Sequence, residues 1–479
     1  MVGIDALHYH VPNIYLPISA LAEARNIEYP KLNKGLGLAG MSVPDVNEDA
    51  ATMAAQAAIN LIAENKIDLT SIGRIYLGTE SALDAAKPTA TYVVEMVENK
   101  FEPTFGKRAL KNCDAVDLTF ACVGAVDAMH NCLDWIRNND TRKAIVIAAD
   151  HAKYELNSTG EYTQGAGAVA MLLTSNPSIL AIDSTVGVAT ESVNDFFKPR
   201  RTFSRSSLLQ EAANLLGQEL NAENASALLK SSTHRFWGQD NSEVEVHMDE
   251  PVFEGQYSNA CYTNRIKEAL EHFNTQKQTN FLKEWNQLIF HLPYAFQGRR
   301  MITPMWVNWM IENGNSSILK SESGIDIPEQ NSSDWNAFVK ACSKTTAYKT
   351  YVNETITKGE IASSDIGNMY TASIFMSLIS YLFAAAESNE DLTGESVGFL
   401  SYGSGSKSKV FSGTVQPKWK EKVVGLNLFK VLKDRTPIDF KTYEQLQKKE
   451  LKMSIEPVDL SLKNIGSEEN DLGYRYYTA

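Results

Sequence analysis

Apolar strands alternating with helices along the whole chain constrain its fold more than any other feature. "IGRIYLGTES" and "RKAIVIAADHA" read as apolar strands with polar tips, and "DAATMAAQAAINLIAENK" as an alanine-rich amphipathic helix. "GEYTQGAGAVAMLLTSNP" is glycine-rich and then strand-like. "LIFHLPYAF" is a strand with a polar end, and "VGFLSYGSGSKSKVFSGTV" a Gly-Ser turn between two strands. Such alternation predicts an α/β protein with a largely parallel sheet covered on both faces. Each half of the chain shows a helix and then a glycine-rich strand pair, a hint of duplication. At 479 residues the chain is too long for one small core, and the expected halves run 1–180 and 181–479. Two polar stretches, Thr202 to Asp249 and Asn313 to Lys344, read as surface insertions, and the charged tail from Lys430 as a cap or a mobile end.

Composition narrows the setting. A net charge of −13 argues against a general nucleic-acid binder, but leaves room for an anionic ligand wherever basic residues cluster. Five cysteines, with no paired C-x-x-C spacing, predict neither a disulfide framework nor a zinc site, and suit a reduced compartment, here the cytoplasm. The start, "MVGIDALHYHVPNIYLP", shows no signal-peptide pattern. "SIFMSLISYLFAAA" is too short to span a membrane and reads as a buried helix.

The stretch "TFACVGAVDAMH" places Cys122 between a strand end, "CDAVDL", and a helical pattern. Free cysteine is among the most buried residue types, which supports a small core residue. A helix start favours the thiolate, strand-to-helix turns often present nucleophiles, and small neighbours leave room for a ligand. Glu80, after "IYLGT", is either the first solvated residue of its strand or, against an apolar wall, a usable base. His291 at a strand end is structural or catalytic, and Asn368 in "IGNMYTAS" is a cap or turn residue. Ser404 lies in "SYGSGS", whose glycines let backbone N–H groups converge on an oxyanion.

Together and in this order, these motifs resemble the 3-hydroxy-3-methylglutaryl-CoA synthases, members of the thiolase-like condensing enzymes. The resemblance runs through "GIDALHYHVPNIYL", "GTESALDAAKP", the Cys122 segment, "AADHAKYELNSTGEYTQGAGAVAML", "VNDFFKP", "IFHLPY", "GNMYTASIFMSLIS" and "FLSYGSGS". It implies a thiolase-like fold, duplicated βαβ halves in five αβαβα layers, and a homodimer. It implies a condensation of acetyl-CoA with acetoacetyl-CoA, in the mevalonate pathway, without a cofactor or metal. Cys122 would carry the acetyl group, Glu80 would deprotonate its methyl, and His291 would polarise the acceptor ketone. Ketoacyl synthases of this fold use Cys, His and Asn, and thiolases a second cysteine as base, so Glu80 is the discriminating residue. Asn368, the Ser404 turn, Tyr154 and Thr159 are the implied substrate-binding positions. The family's lysine five residues after the histidine is replaced by Phe296, which leaves Arg299 and Arg300, or Lys198 with Arg200 and Arg201, as candidates for the CoA phosphates. Three alternatives stand beside this reading: a synthase acting on acyl-carrier-protein thioesters, a non-catalytic acyl-CoA-binding relative, and a cysteine hydrolase.

Overall fold

The computed structural model describes residues 1–234, 236–237, 242–330 and 332–478, in a larger unit (Met1–Asp195 with Gly255–Ala479) and a smaller one (Phe196–Glu254). Among the described residues, the main sheet of the larger unit has nine strands: β1 (Val2–His10), β2 (Ile72–Gly78), β3 (Asp114–Leu118), β4 (Lys143–Ala152), β5 (Gly165–Ser175), β6 (Leu180–Thr190), β7 (Gln287–Phe290), β8 (Ser396–Gly403) and β9 (Lys407–Val415). Their order is β7-β8-β9-β6-β1-β5-β4-β2-β3. The helices that cover this sheet are α1 (Ala50–Asn65), α2 (Thr89–Phe105), α3 (Gly124–Arg137), α4 (Gly255–Gln276), α5 (Gln297–Glu312) and α6 (Ser373–Glu387).

Strand periodicity explains the layering. Along β4, Ala144, Val146 and Ala148 face one core while Ile145, Ile147 and Ala149 face another. The second core holds α1 and α2. The first holds α3 and α6 and is shared with Val397, Phe399 and Phe411 of β8 and β9. The opposite faces of β7, β8 and β9 meet α4 and α5 through Phe290, Leu400, Val410, Ile266 and Trp306. The result is the five-layered, thiolase-like arrangement. β1 and β6 pair only at Gly3↔Ala181 and Ile4↔Leu180. With each fully buried Leu, Ile or Phe worth about 1.5–3 kcal/mol, the shared middle core joins the two sets of strands far more strongly than that short contact.

The duplication is visible in strand direction. β2 is parallel to β4, β4 antiparallel to β5, and β5 antiparallel to β1. β7, β8, β9 and β6 repeat that pattern. The expected largely parallel sheet is therefore corrected to a mixed one. Returns such as β8 to β9 are made by a tight turn and no crossover helix, and a tight turn reverses the chain.

Asn313–Lys344 is also more than a surface insertion. Its Leu319, Phe338 and Cys342 are fully buried against the layer of Trp306; residue 331 lies outside the described residues. The tail from Lys430 is a cap: Tyr443 is fully buried, and Tyr477 donates a hydrogen bond to Asp49. The apolar segment Tyr370–Glu387 is 94% buried, as a core helix is. In the smaller unit, strand Arg201–Ser204 pairs with Glu243–Val246 beside helices Arg205–Leu215 and Ala222–Ser231. Residues 235 and 238–241 of the expected 202–249 insertion lie outside the described residues.

Candidate active site

Repeated positions of the two halves converge here. Glu80 follows β2 and His291 follows the corresponding β7, while Cys122 precedes α3 and Asn368 precedes the corresponding α6. The Cys122 thiol donates to Glu80 Oε1 at 3.0 Å. Ala121 sits at φ 36, a left-handed conformation costly for a residue with a Cβ, so the chain turns sharply into Cys122. Cys122 is 7% exposed.

Two glycines near Cys122 serve packing. A Cβ on Gly124 would lie 2.6 Å from the Leu118 carbonyl oxygen, and one on Gly78 would lie 2.2 Å from the Ala125 nitrogen. The helix can reach the end of β2 only because those side chains are absent.

His291 is buried, and burial pushes its pKa down to about 3, so the imidazole is neutral. Ser373 Oγ donates to the Tyr370 carbonyl and accepts from His291 Nδ1 at 2.8 Å, which leaves Nε2 as the proton acceptor. Asn368 Oδ1 accepts from Tyr370 N, and its own N–H donates to Thr163, so it is the turn residue expected at the start of α6. Tyr154 is buried, and burial together with Cys122 and Glu80 raises its pKa. Tyr154 N donates to Gln164 Oε1 at 2.7 Å. Thr159 lies on an exposed turn next to Gly160, on whose α-carbon a Cβ would strike the Tyr154 ring.

The Ser404 turn approaches the cysteine differently than expected. A Cβ on Gly403 would lie 2.9 Å from Val123 N, so the turn abuts the Cys122 segment. Yet the N–H of Gly405 is held by Asp195 Oδ1 and that of Ser406 by the Glu191 carbonyl. Those two donors are committed within the protein and do not converge on an oxyanion.

The basic candidates also separate. Arg299 is bound through Nε and Nη2 to the buried carboxylate of Glu360 and stacks 3.8 Å over the Phe296 ring. Its charge is already paired inside the fold. Arg300 is exposed and donates to the Gly35 carbonyl. Lys198 belongs to the smaller unit, beside the Phe196 ring. A cavity of about 370 Å³ is lined by Arg299, Tyr348, Lys349 and Asn353, and includes none of Glu80, Cys122 and His291.

Two acids escaped the sequence reading. Asp150, fully buried, accepts from the Glu80 and Thr371 backbones and from the hydroxyls of Thr79, Ser81 and Thr371. It thereby ties the Glu80 loop to the start of α6. Asp195, also fully buried, accepts from Tyr402, Ser258 and Gly405 and secures the Ser404 turn. Their only sequence signal was an acid inside an apolar run, in "IAADHA" and "VNDFF". Among the described residues, no group of three or more His, Cys, Asp or Glu could hold a metal ion.

Comparison with known proteins shows the family. The family model for the N terminal of hydroxymethylglutaryl-coenzyme A synthase matches residues 1–178, and that for the C terminal matches residues 241–463. A hydroxymethylglutaryl-CoA synthase of Haloferax volcanii is 28% identical over 453 residues, covering 92% of this chain and 90% of that protein. The human cytoplasmic hydroxymethylglutaryl-CoA synthase is 26% identical, covering 86% of this chain and 71% of that one. The solved structure of MvaS in complex with 3-hydroxy-3-methylglutaryl coenzyme A superposes with a TM-score of 0.74 at 26% identity, covering 100% of this chain and 98% of that one.

Proposed function

Because the chain belongs to the hydroxymethylglutaryl-coenzyme A synthase family, we propose that it condenses acetyl-CoA with acetoacetyl-CoA and water to give 3-hydroxy-3-methylglutaryl-CoA and CoA, in the mevalonate route to isoprenoids. The observation that carries this reading is the contact of Cys122 with Glu80, a nucleophile and a base on one carbon's reach.

Glu80 accepts the thiol proton, and the Cys122 sulfur attacks the acetyl carbonyl. The bond to CoA sulfur breaks, and CoA leaves with that proton. Glu80, again a carboxylate, removes a proton from the acetyl methyl, and the enolate carbon adds to the acceptor ketone. One proton is released to Glu80 and one is taken up by the new alkoxide, so this step is balanced. Neutral His291 relays the proton held by Glu80 through Nε2 to that alkoxide, which returns Glu80 to the carboxylate and the imidazole to its neutral form, while Ser373 fixes the ring. The acyl oxygen is stabilised by the Cys122 N–H at the start of α3. Water then cleaves the cysteine thioester, and the thiol is restored. Asn368 and Tyr154 orient the acyl groups.

The acceptor in this reading is a free CoA thioester. Within the larger unit, Arg300 remains the side chain for its phosphates, since Arg299 is paired with Glu360. A cytoplasmic location is supported by the human relative's name. A homodimer is supported by β3, the edge strand of the main sheet, whose Val116 and Leu118 are only half-buried.

Mass spectrometry after acetyl-CoA, followed by product analysis with acetoacetyl-CoA, tests the proposal. An acetyl group on Cys122 and release of the six-carbon acyl-CoA are expected. No adduct, or turnover only with an acetoacetyl carrier protein, overturns it in favour of a binding protein or a carrier-protein synthase.

A further inference from the structure

On β9, Lys407, Lys409 and Phe411 alternate onto one face, and that face meets the nucleophile helix α3. Asp127, in the first turn of α3, receives Lys409 Nζ at 2.8 Å on Oδ1 and Lys407 Nζ on Oδ2. The Lys407 ammonium also lies 4.0 Å from the centre of the Phe120 ring, two residues before Cys122. One turn further along, Phe411 packs edge-on to His130. Both lysine side chains are 15% exposed and the Asp127 side chain 14%, so solvent screens them weakly. Two ammonium groups share one carboxylate, which leaves one positive charge in excess beside the start of α3.

We propose that the Lys407–Asp127–Lys409 cluster is an electrostatic support for the nucleophile. Its excess positive charge adds to the N-terminal field of α3, favouring the Cys122 thiolate and the oxyanion formed when that sulfur is acylated. The proposal rests on the reading of Cys122 as nucleophile. It answers a difficulty in the geometry: Glu80, 3.0 Å from the sulfur, opposes ionisation of the thiol. Tyr154, Tyr262 and Tyr370 are phenols that burial and the Cys122 charge hold protonated, and His291 is neutral. From β4, Asp150 binds the Glu80 backbone; the carbonyls of His151 and Lys153, next along the chain, meet Ser81 and Tyr370. Deeper along α3, burial and then the Lys409 charge hold His130 neutral, against the opposing charges of Asp127 and Asp134. Lys407, Lys409 and Asp127 are thus positioning residues that act through Cys122 and touch no substrate.

The test needs no substrate. The rate of Cys122 alkylation by iodoacetamide is followed from pH 5 to 10 by peptide mass spectrometry, with circular dichroism to check each fold. Lys407→Gln and Lys409→Gln should each raise the midpoint by about half a pH unit, and Asp127→Asn should lower it by a similar amount. Lys407→Arg should match the wild type. Shifts of opposite sign distinguish a field from packing, because a loosened contact on either side of one ion pair would move both variants the same way. Shifts of the same sign, or none, overturn the proposal. Where Lys407→Gln does not fold, Lys409→Gln and Asp127→Asn carry the same pair of signs. Wild-type acetylation by acetyl-CoA is scored separately, so a failure of the proposed function is distinguishable from a failure of this inference.

Discussion

The Cys122 sulfur rests 3.0 Å from a carboxylate oxygen of Glu80, across 42 residues of chain. In the proposed reaction this one carboxylate would serve two proton transfers, first from the thiol and then from the acetyl methyl, and only the second has no substitute when it is removed.

Glu80→Ala should still form acetyl-Cys122, more slowly, because a free thiolate attacks thioesters without a neighbouring base. Condensation should fall by about 10²–10⁴-fold, the usual loss when a general base is removed. Mass spectrometry of the adduct beside product formation with acetoacetyl-CoA checks this. Wild-type condensation in the variant would remove Glu80 from the mechanism.

For His291→Ala the damage should fall on the second half-reaction. The ring is fixed by Ser373 and its proposed role is at the acceptor ketone, so acetylation should change little while acetoacetyl-CoA use drops by two or more orders of magnitude, as expected for a lost acid–base group. Equal loss in both half-reactions would point to a structural role for this buried ring.

Gly78→Ala tests the packing that aims the nucleophile. The added methyl would sit 2.2 Å from Ala125 N, so α3 must move away from β2. Overpacking of this kind costs about 1–3 kcal/mol, and the Cys122–Glu80 contact should be lost with it. Urea unfolding combined with the rate of Cys122 acetylation measures both. Unchanged acetylation would show that the helix start tolerates displacement.

Acid should destabilise the fold through its buried histidines. Burial holds both His130 and His291 at a pKa of about 3, whereas in the unfolded chain each titrates near 6.5. Below pH 6.5 the unfolded state therefore binds protons that the folded state refuses. Stability is full above that pH and falls as pH drops from 6.5 toward 3. Each histidine contributes up to ~1.4 kcal/mol per pH unit in that window. Urea midpoints at pH 7, 6 and 5 give the slope, and His130→Phe, which keeps a ring edge-on to Phe411, should reduce it by one histidine's share. An unchanged slope in that variant would remove His130 from the account.

Much of the site was legible in the chain because chemistry and local structure coincide there. Glu80, Cys122, His291 and Asn368 each stand at the end of an apolar strand or the start of an apolar helix, and a change of periodicity marks such points in sequence. The order of these motifs was enough to imply the family and the reaction. Strand direction was not legible: β4 and β8 return through connections without a crossover helix, and apolar alternation looks the same for either direction.

Sequence alone determined which residue types stand at the strand and helix ends, because burial periodicity is a local property of the chain. Only the tertiary structure decided which of their charges are free to act. Arg299 is consumed by Glu360, whose partner lies 61 residues away, and the Ser404 turn gives two of its N–H groups to Asp195 and Glu191. Asp150, an inconspicuous acid in an apolar strand, joins the Glu80 loop to α6 through Thr371, 221 residues on. Lys407 meets Asp127 across 280 residues. An ion pair or a buried hydrogen bond is a matter of distance in space, and no periodicity along the chain encodes which distant partner the fold will bring within reach.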